Sequence, residues 1–132
     1  MHEWALAESI ILTIVEEAKN SARNSFEVEV VVGELQAIDL EVFEFALNEL
    51  KTVMEREHGI SVKSLKIVME QAKFKCSRCG FVWGLADIRL SDDVKEAVHF
   101  VPEVIHSYVQ CPKCYSHDFE IVSGRGVSMR FT

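Results

Sequence analysis

The stretch Phe26-Glu27-Val28-Glu29-Val30-Val31-Val32-Gly33 alternates apolar and acidic residues, then ends in three valines and a glycine. A period of two marks a strand with one buried face, here Phe26–Val32, and Gly33 breaks it. Downstream, Asp39 is placed to cap a helix. Its apolar stripe is Leu40, Phe43, Leu47, Leu50 and Met54, and His58-Gly59 is its stop. Residues 63–70 alternate again, with Leu65, Ile67 and Met69 against Lys63, Lys66 and Glu70. Strand, helix and strand in succession form a crossover unit, which makes the two strands parallel.

Upstream, residues 4–19 read as an amphipathic helix. Leu6, Ala7, Ile10, Ile11, Ile14 and Ala18 recur at three- and four-residue spacing, and Asn20, Ser21, Asn24 and Ser25 end it. At the other end, Val127–Phe131 alternates Val127, Met129 and Phe131 against Ser128 and Arg130, after Gly124 and Gly126, a turn or hinge. The predicted fold class is therefore α+β in two layers, with two helices on one face of a three-stranded mixed sheet. Residues 73–118 leave that sheet and return to it. The predicted domains are 1–72 with 119–132, and 73–118.

The chain has 132 residues, 14 Lys and Arg against 21 Asp and Glu, and a formal net charge of −7. An acidic balance argues against nucleic acid, whose binding rests on counterion release by Lys and Arg. No apolar run reaches the roughly 18 residues that span a bilayer, so no membrane insertion is expected. Acidic residues interrupt the first helix where a signal peptide would be apolar, and cytoplasmic residence is the expectation.

All four cysteines fall in two pairs, Cys76-x-x-Cys79 and Cys111-x-x-Cys114. Two residues between thiolates let both reach one cation from a single tight turn. Two such knuckles supply a sulfur tetrahedron suited to Zn²⁺. The alternatives are a redox dithiol or a pair of disulfides, which a cytoplasmic chain disfavours. The 31 residues between the pairs exceed the usual ribbon spacing and predict a loop or short helix near Ser91–Val98. Residues 73–118 thus read as an inserted zinc-ribbon-like domain, dependent on its metal for folding. Four thiolates leave no open coordination position, so the site is structural and no enzyme is expected.

The chain opens Met1-His2-Glu3-Trp4. A second-position histidine brings together the terminal amine, its own amide nitrogen and its imidazole. Nitrogen ligation in one plane favours Ni²⁺ or Cu²⁺. Taken alone, an early histidine is a solvated terminal residue.

Met1-His2-Glu3 before an amphipathic helix, Val31-Val32-Gly33-Glu34-Leu35, and two late Cys-x-x-Cys knuckles occur here in one short acidic chain. The combination resembles the HypA/HybF family of hydrogenase nickel-insertion accessory proteins over essentially the whole length. Phe100-Val101-Pro102-Glu103 between the knuckles is similar to the archaeal members. The resemblance implies a metallochaperone that carries Ni²⁺ to the [NiFe]-hydrogenase large subunit with the GTPase HypB. It implies a nickel site at Met1, His2 and Glu3, with His99 a candidate additional ligand. It also implies structural zinc at Cys76, Cys79, Cys111 and Cys114. The chain has no Gly-rich phosphate loop, so any GTP-driven step belongs to the partner. A monomer or weak dimer is expected.

The competing function is a zinc-ribbon interaction module in transcription or translation, which would need a Lys/Arg stripe with aromatics. His106 is a weaker candidate ligand than His99, and His117 a surface residue that could reach a thiolate. Glu34 is read as a turn residue, Trp4 as core packing that anchors the terminus, and Met54 and Met69 as core.

Overall fold

A computed structural model describes residues 2–132. In chain order the elements are α1 (Glu3–Ser21), β1 (Ser25–Gly33), a 3-10 turn (Glu34–Gln36), α2 (Leu40–His58), β2 (Ser61–Glu70), β3 (Lys73–Cys76), β4 (Val82–Gly84), a 3-10 turn (Leu85–Asp87), α3 (Asp92–Phe100), a 3-10 turn (Pro102–Val104), the one-turn α4 (Ile105–Tyr108), β5 (Phe119–Ser123) and β6 (Val127–Phe131).

The strand that opened the reading is central, in the order β2-β1-β6. Glu27 and Thr132 exchange both backbone hydrogen bonds (3.1 and 2.9 Å), so β6 runs antiparallel to β1. The Ser61 N–H donates to the Asn24 carbonyl (2.7 Å), setting the starts of β2 and β1 side by side and parallel. The sheet is mixed, and α1 and α2 lie on one face of it. Phe26, Val28 and Val30 of β1 are buried, as are Ala7, Ile10 and Ile14 of α1 and Phe43, Ala46, Leu47 and Met54 of α2. The predicted cap holds: one Asp39 carboxylate oxygen accepts from the N–H groups of Glu41 (3.0 Å) and Val42 (3.2 Å). Gly59, at φ 65°, ends the helix.

Two residues expected in the core are not there. Trp4 is 46% exposed, with its ring edge against Phe45 at 6.1 Å. It lies on the flank of α1, a hundred degrees round the helix from buried Glu3. Met69 is 40% exposed because β2 is an edge strand. Its buried residue is Val62, out of phase with Leu65 and Ile67, which are only half-buried.

A second three-stranded sheet, β4-β3-β5, is antiparallel throughout. Its inner face carries Phe74, Trp83 and Phe119, whose ring centroids lie 5.1–5.7 Å apart. Leu35, Val98, Ile105 and Val109 complete that core together with Cys76 and Cys111. The helix expected between the knuckles is α3, capped by Ser91, whose hydroxyl accepts from the Val94 N–H (3.3 Å).

The chain divides into two compact units, Met1–Val30 with Ile38–Ile67 and Met129–Thr132, and Val31–Ala37 with Val68–Ser128. The division passes within β1, β2 and β6.

Within the second unit the chain crosses itself, fastened by two backbone hydrogen bonds and two glutamate carboxylates. The Gly33 N–H donates to the Gly126 carbonyl (2.7 Å) and the Leu35 N–H to the Gly124 carbonyl (2.9 Å). Glu34 accepts the Ala72 N–H (2.9 Å), and Glu70 accepts the Gly124 N–H (2.7 Å). Glu34 is therefore more than a solvated turn residue. Its carboxylate fastens the segment between β2 and β3.

Candidate metal centres

The Sγ atoms of Cys76, Cys79, Cys111 and Cys114 all lie within 4.8 Å of one another. Cys76 and Cys114 are 3.5 Å apart, and Cys79 and Cys111 3.6 Å. Four sulfurs at about 2.3 Å from one tetrahedral zinc would be separated by about 3.8 Å. The cluster is therefore already close to the spacing one ion needs.

The two knuckles are built alike. In the first, the Gly80 N–H donates to the Cys76 carbonyl (3.0 Å) and the Cys76 N–H to the Phe81 carbonyl (2.9 Å). In the second, the Tyr115 N–H donates to the Cys111 carbonyl (2.9 Å) and the Cys111 N–H to the Ser116 carbonyl (2.8 Å). Backbone N–H groups point at the leading sulfur of each pair. Arg78 and Cys79 donate to Cys76 Sγ (3.4 and 3.5 Å), and Lys113 and Cys114 donate to Cys111 Sγ (3.4 and 3.5 Å).

These donors favour thiolate. The Cys79 N–H, against burial and helped by the Arg78 N–H, lowers the Cys76 thiol from about 9 to about 6. At Cys111 burial opposes ionisation, but the N–H groups of Cys114 and Lys113 outweigh it and the pKa is lowered. At Cys114 the Ser116 N–H favours the thiolate, but the neighbouring sulfur of Cys76, burial, and the sulfurs of Cys79 and Cys111 together outweigh it and raise the thiol to about 11. The leading cysteine of each pair is thus biased toward thiolate, and the four together suit one soft or borderline cation.

Sequence reasoning missed one residue here. Tyr115 has φ 64°, matching Gly80 at φ 75° in the other knuckle. The equivalence of the residues following Cys79 and Cys114 was the available signal, and only a folded knuckle reveals it.

At the other end of the chain, Met1 lies outside the described residues. His2 is half-buried and precedes α1, and its carbonyl accepts the Leu6 N–H (2.8 Å). Glu3 is buried, and its Oε1 accepts the Asp39 N–H at 3.1 Å. The same Asp39 that caps α2 with its side chain thus ties the start of α1 with its backbone.

Three further histidines sit in the second unit. His99 is half-buried near the end of α3, with its ring 5.3 Å from that of Phe100. His106 stacks on Phe119 at 4.3 Å, a packing role. The ring of His117 meets no thiolate; its Nδ1–H donates to the His106 carbonyl (3.0 Å).

The sequence profile described as hydrogenase/urease nickel incorporation, metallochaperone, hypA matches residues 1–131. The hydrogenase maturation factor HypA of Pyrococcus horikoshii is 46% identical, with 96% of this chain and 91% of that protein covered. The factor of the same name from Thermococcus sibiricus is 42% identical over the same shares. Among solved structures, the solution structure of the Ni metallochaperone HypA from Helicobacter pylori matches with TM-score 0.54 and 27% identity, over 100% of this chain and 94% of that one. A chain matched end to end by the profile, with a four-cysteine cluster at metal-binding spacing, belongs to the HypA family of hydrogenase nickel-incorporation metallochaperones.

Proposed function

We propose that this chain binds Ni²⁺ at its amino terminus, through Met1, His2 and Glu3, and delivers it to the large subunit of a [NiFe]-hydrogenase. His99 is the candidate that joins them. Cys76, Cys79, Cys111 and Cys114 hold one structural Zn²⁺. The GTPase HypB is the working partner, residence is cytoplasmic, and the chain performs no catalysis of its own.

The observation that carries this reading is the contrast between two kinds of donor set. Four sulfurs lie close together with two of them buried, which suits an ion that stays. His2 sits at the very start of α1, beside a carboxylate anchored on Asp39. A terminal site with exchangeable positions can release its cargo, whereas a closed thiolate cage cannot. The chain's own residues therefore divide the work. His2 supplies a nitrogen that selects nickel over harder cations. The Asp39 N–H holds the Glu3 carboxylate at the head of α1.

The test is a Ni²⁺ titration of zinc-loaded protein with its native, untagged amino terminus, alongside His2→Ala, with bound metals counted after equilibrium dialysis. Wild type is expected to bind nickel, and His2→Ala to lose it while keeping one zinc per chain. Equal nickel binding by both would remove the amino terminus as the site and favour the zinc-ribbon interaction module. No helix among the described residues is long and apolar enough to cross a membrane.

A further inference from the structure

The second unit holds a cavity that neither the four cysteines nor the amino terminus uses. α3 packs on the 3-10 turn Glu34–Gln36. Those two elements and the segment from Leu85 to Leu90 enclose a space of about 510 Å³. Small organic ligands occupy pockets of roughly 300–1,000 Å³. Most of the lining is apolar. Leu35 and Val98 belong to the buried core behind it, while Leu85, Ile88 and Leu90 are only half-buried. Apolar surface left uncovered in this way forgoes the free energy of burial.

Three charged residues complete the lining: Glu34, Arg89 and Lys95. Glu34 is engaged, since its Oε1 accepts the Ala72 N–H (2.9 Å). Arg89 and Lys95 are exposed and enter no ion pair among the described residues. Asp92 and Asp93 open α3 but do not line the cavity. Two positive charges against one negative leave the lining with one positive charge in excess, in a chain whose net charge is −7. The local balance is opposite to that of the whole molecule.

We infer that this cavity binds a small aliphatic monocarboxylate. Its alkyl body would cover Leu85, Ile88 and Leu90, and Arg89 and Lys95 would hold its carboxylate. The lining selects this class. A dianion would exceed the single surplus charge, a cation would meet two like charges, and a wholly apolar molecule would leave both cations unused. The guanidinium of Arg89 offers a fork of donors that matches a carboxylate, and Lys95 adds a point charge. Free aliphatic acids and the carboxyl end of an apolar peptide share this chemistry, and the probes below separate them. The inference rests on neither metal.

The first probe is octanoate, and its neutral control is octanamide. Each is titrated into full-length, zinc-loaded protein and followed by calorimetry and by the methyl resonances of Leu35, Leu85, Ile88 and Val98. Octanoate is expected to bind saturably with a Kd below about 1 mM, at least about tenfold tighter than octanamide. Those methyl resonances should carry the largest shifts. The double substitution Arg89→Gln with Lys95→Gln, at two exposed positions, should remove the preference. Ala86→Trp, at another exposed lining position, should weaken both ligands while circular dichroism stays unchanged. An acetylated leucine dipeptide with a free carboxyl end is the third probe. Tighter binding than octanoate assigns the site to a polypeptide carboxyl end, and weaker binding assigns it to a free acid. The inference is overturned by equal binding of octanoate and octanamide, or by a preference that survives the double substitution. It is also overturned by shifts centred outside the cavity, or if neither acid binds saturably up to about 1 mM.

Discussion

Single residues decide whether the chain can make its tightest approach. Gly33 ends β1 where the segment joining β5 and β6 passes over it. A Cβ built on Gly33 would overlap the backbone carbonyl group of Gly124 and crowd the Gly126 oxygen. Backbone atoms cannot swing aside as a side-chain tip does. Gly33→Ala should therefore cost about 1–3 kcal/mol, the range for overpacking, read as a lower urea midpoint. An unchanged midpoint would mean that the Gly124 backbone can give way to a methyl group at this crossing. The sequence marked Gly33 as the end of a strand, which is correct but incomplete. The reason for glycine lies ninety residues away, and local patterning carries no such information. Tyr115 makes the complementary point. Only its folded knuckle shows that it occupies the left-handed conformation that Gly80 adopts without a Cβ penalty.

Among the elements, α2 was the most legible and is the easiest to test. Asp39 closes two orphan N–H groups with its side chain and gives its own N–H to Glu3. Asp39→Ala removes the first interaction and keeps the second. A loss of about 1 kcal/mol in stability is expected from the missing cap, with nickel stoichiometry unchanged. A loss of nickel binding with stability intact would give the Asp39 side chain a direct part in the site. The strands show where periodicity fails. β1 is central, and its alternation survives as burial from Phe26 to Val32. β2 is an edge, so Leu65 and Ile67 are only half-covered and Met69 emerges into solvent. Hydropathy patterning reports which residues share a face, not whether anything covers that face.

For the whole molecule, the metal is the feature on which the two units should differ. Cys76 and Cys111 are buried in the core of the second unit beside Phe74, Trp83 and Phe119. That core is larger than its local sequence suggested, because Leu35 reaches it from the segment after β1. Removing the ion proposed at the four cysteines with a strong chelator should loosen this unit, seen as loss of near-ultraviolet dichroism from buried Trp83. The helical far-ultraviolet signal of α1 and α2 should persist. Full retention of the Trp83 signal would show that the apolar core suffices alone. Acid should act at the same place. The folded Cys76 thiol lies near 6 against an ordinary value near 9, so its contribution is present above about 9 and is lost as pH falls through about 6. Metal retained after gel filtration should therefore drop at or below about pH 6. Zinc lost already near neutrality would contradict it.

Much was determined by the sequence alone. Periodicities of two and of three to four residues, with Asp39 and Gly59 as punctuation, specify helix, strand, crossover helix and strand, because local hydrogen bonding and alternating burial act over a few residues. The Cys-x-x-Cys pairs announce a four-sulfur site, because the spacing is itself the geometry of a knuckle. Tertiary structure decided the rest: β5 pairs with β3 rather than with β1, Leu35 serves the second core, and Trp4 faces Phe45 instead of the interior. Each of these depends on which distant segment arrives opposite a residue. That is settled by packing and chain crossing, and no window along the sequence contains it.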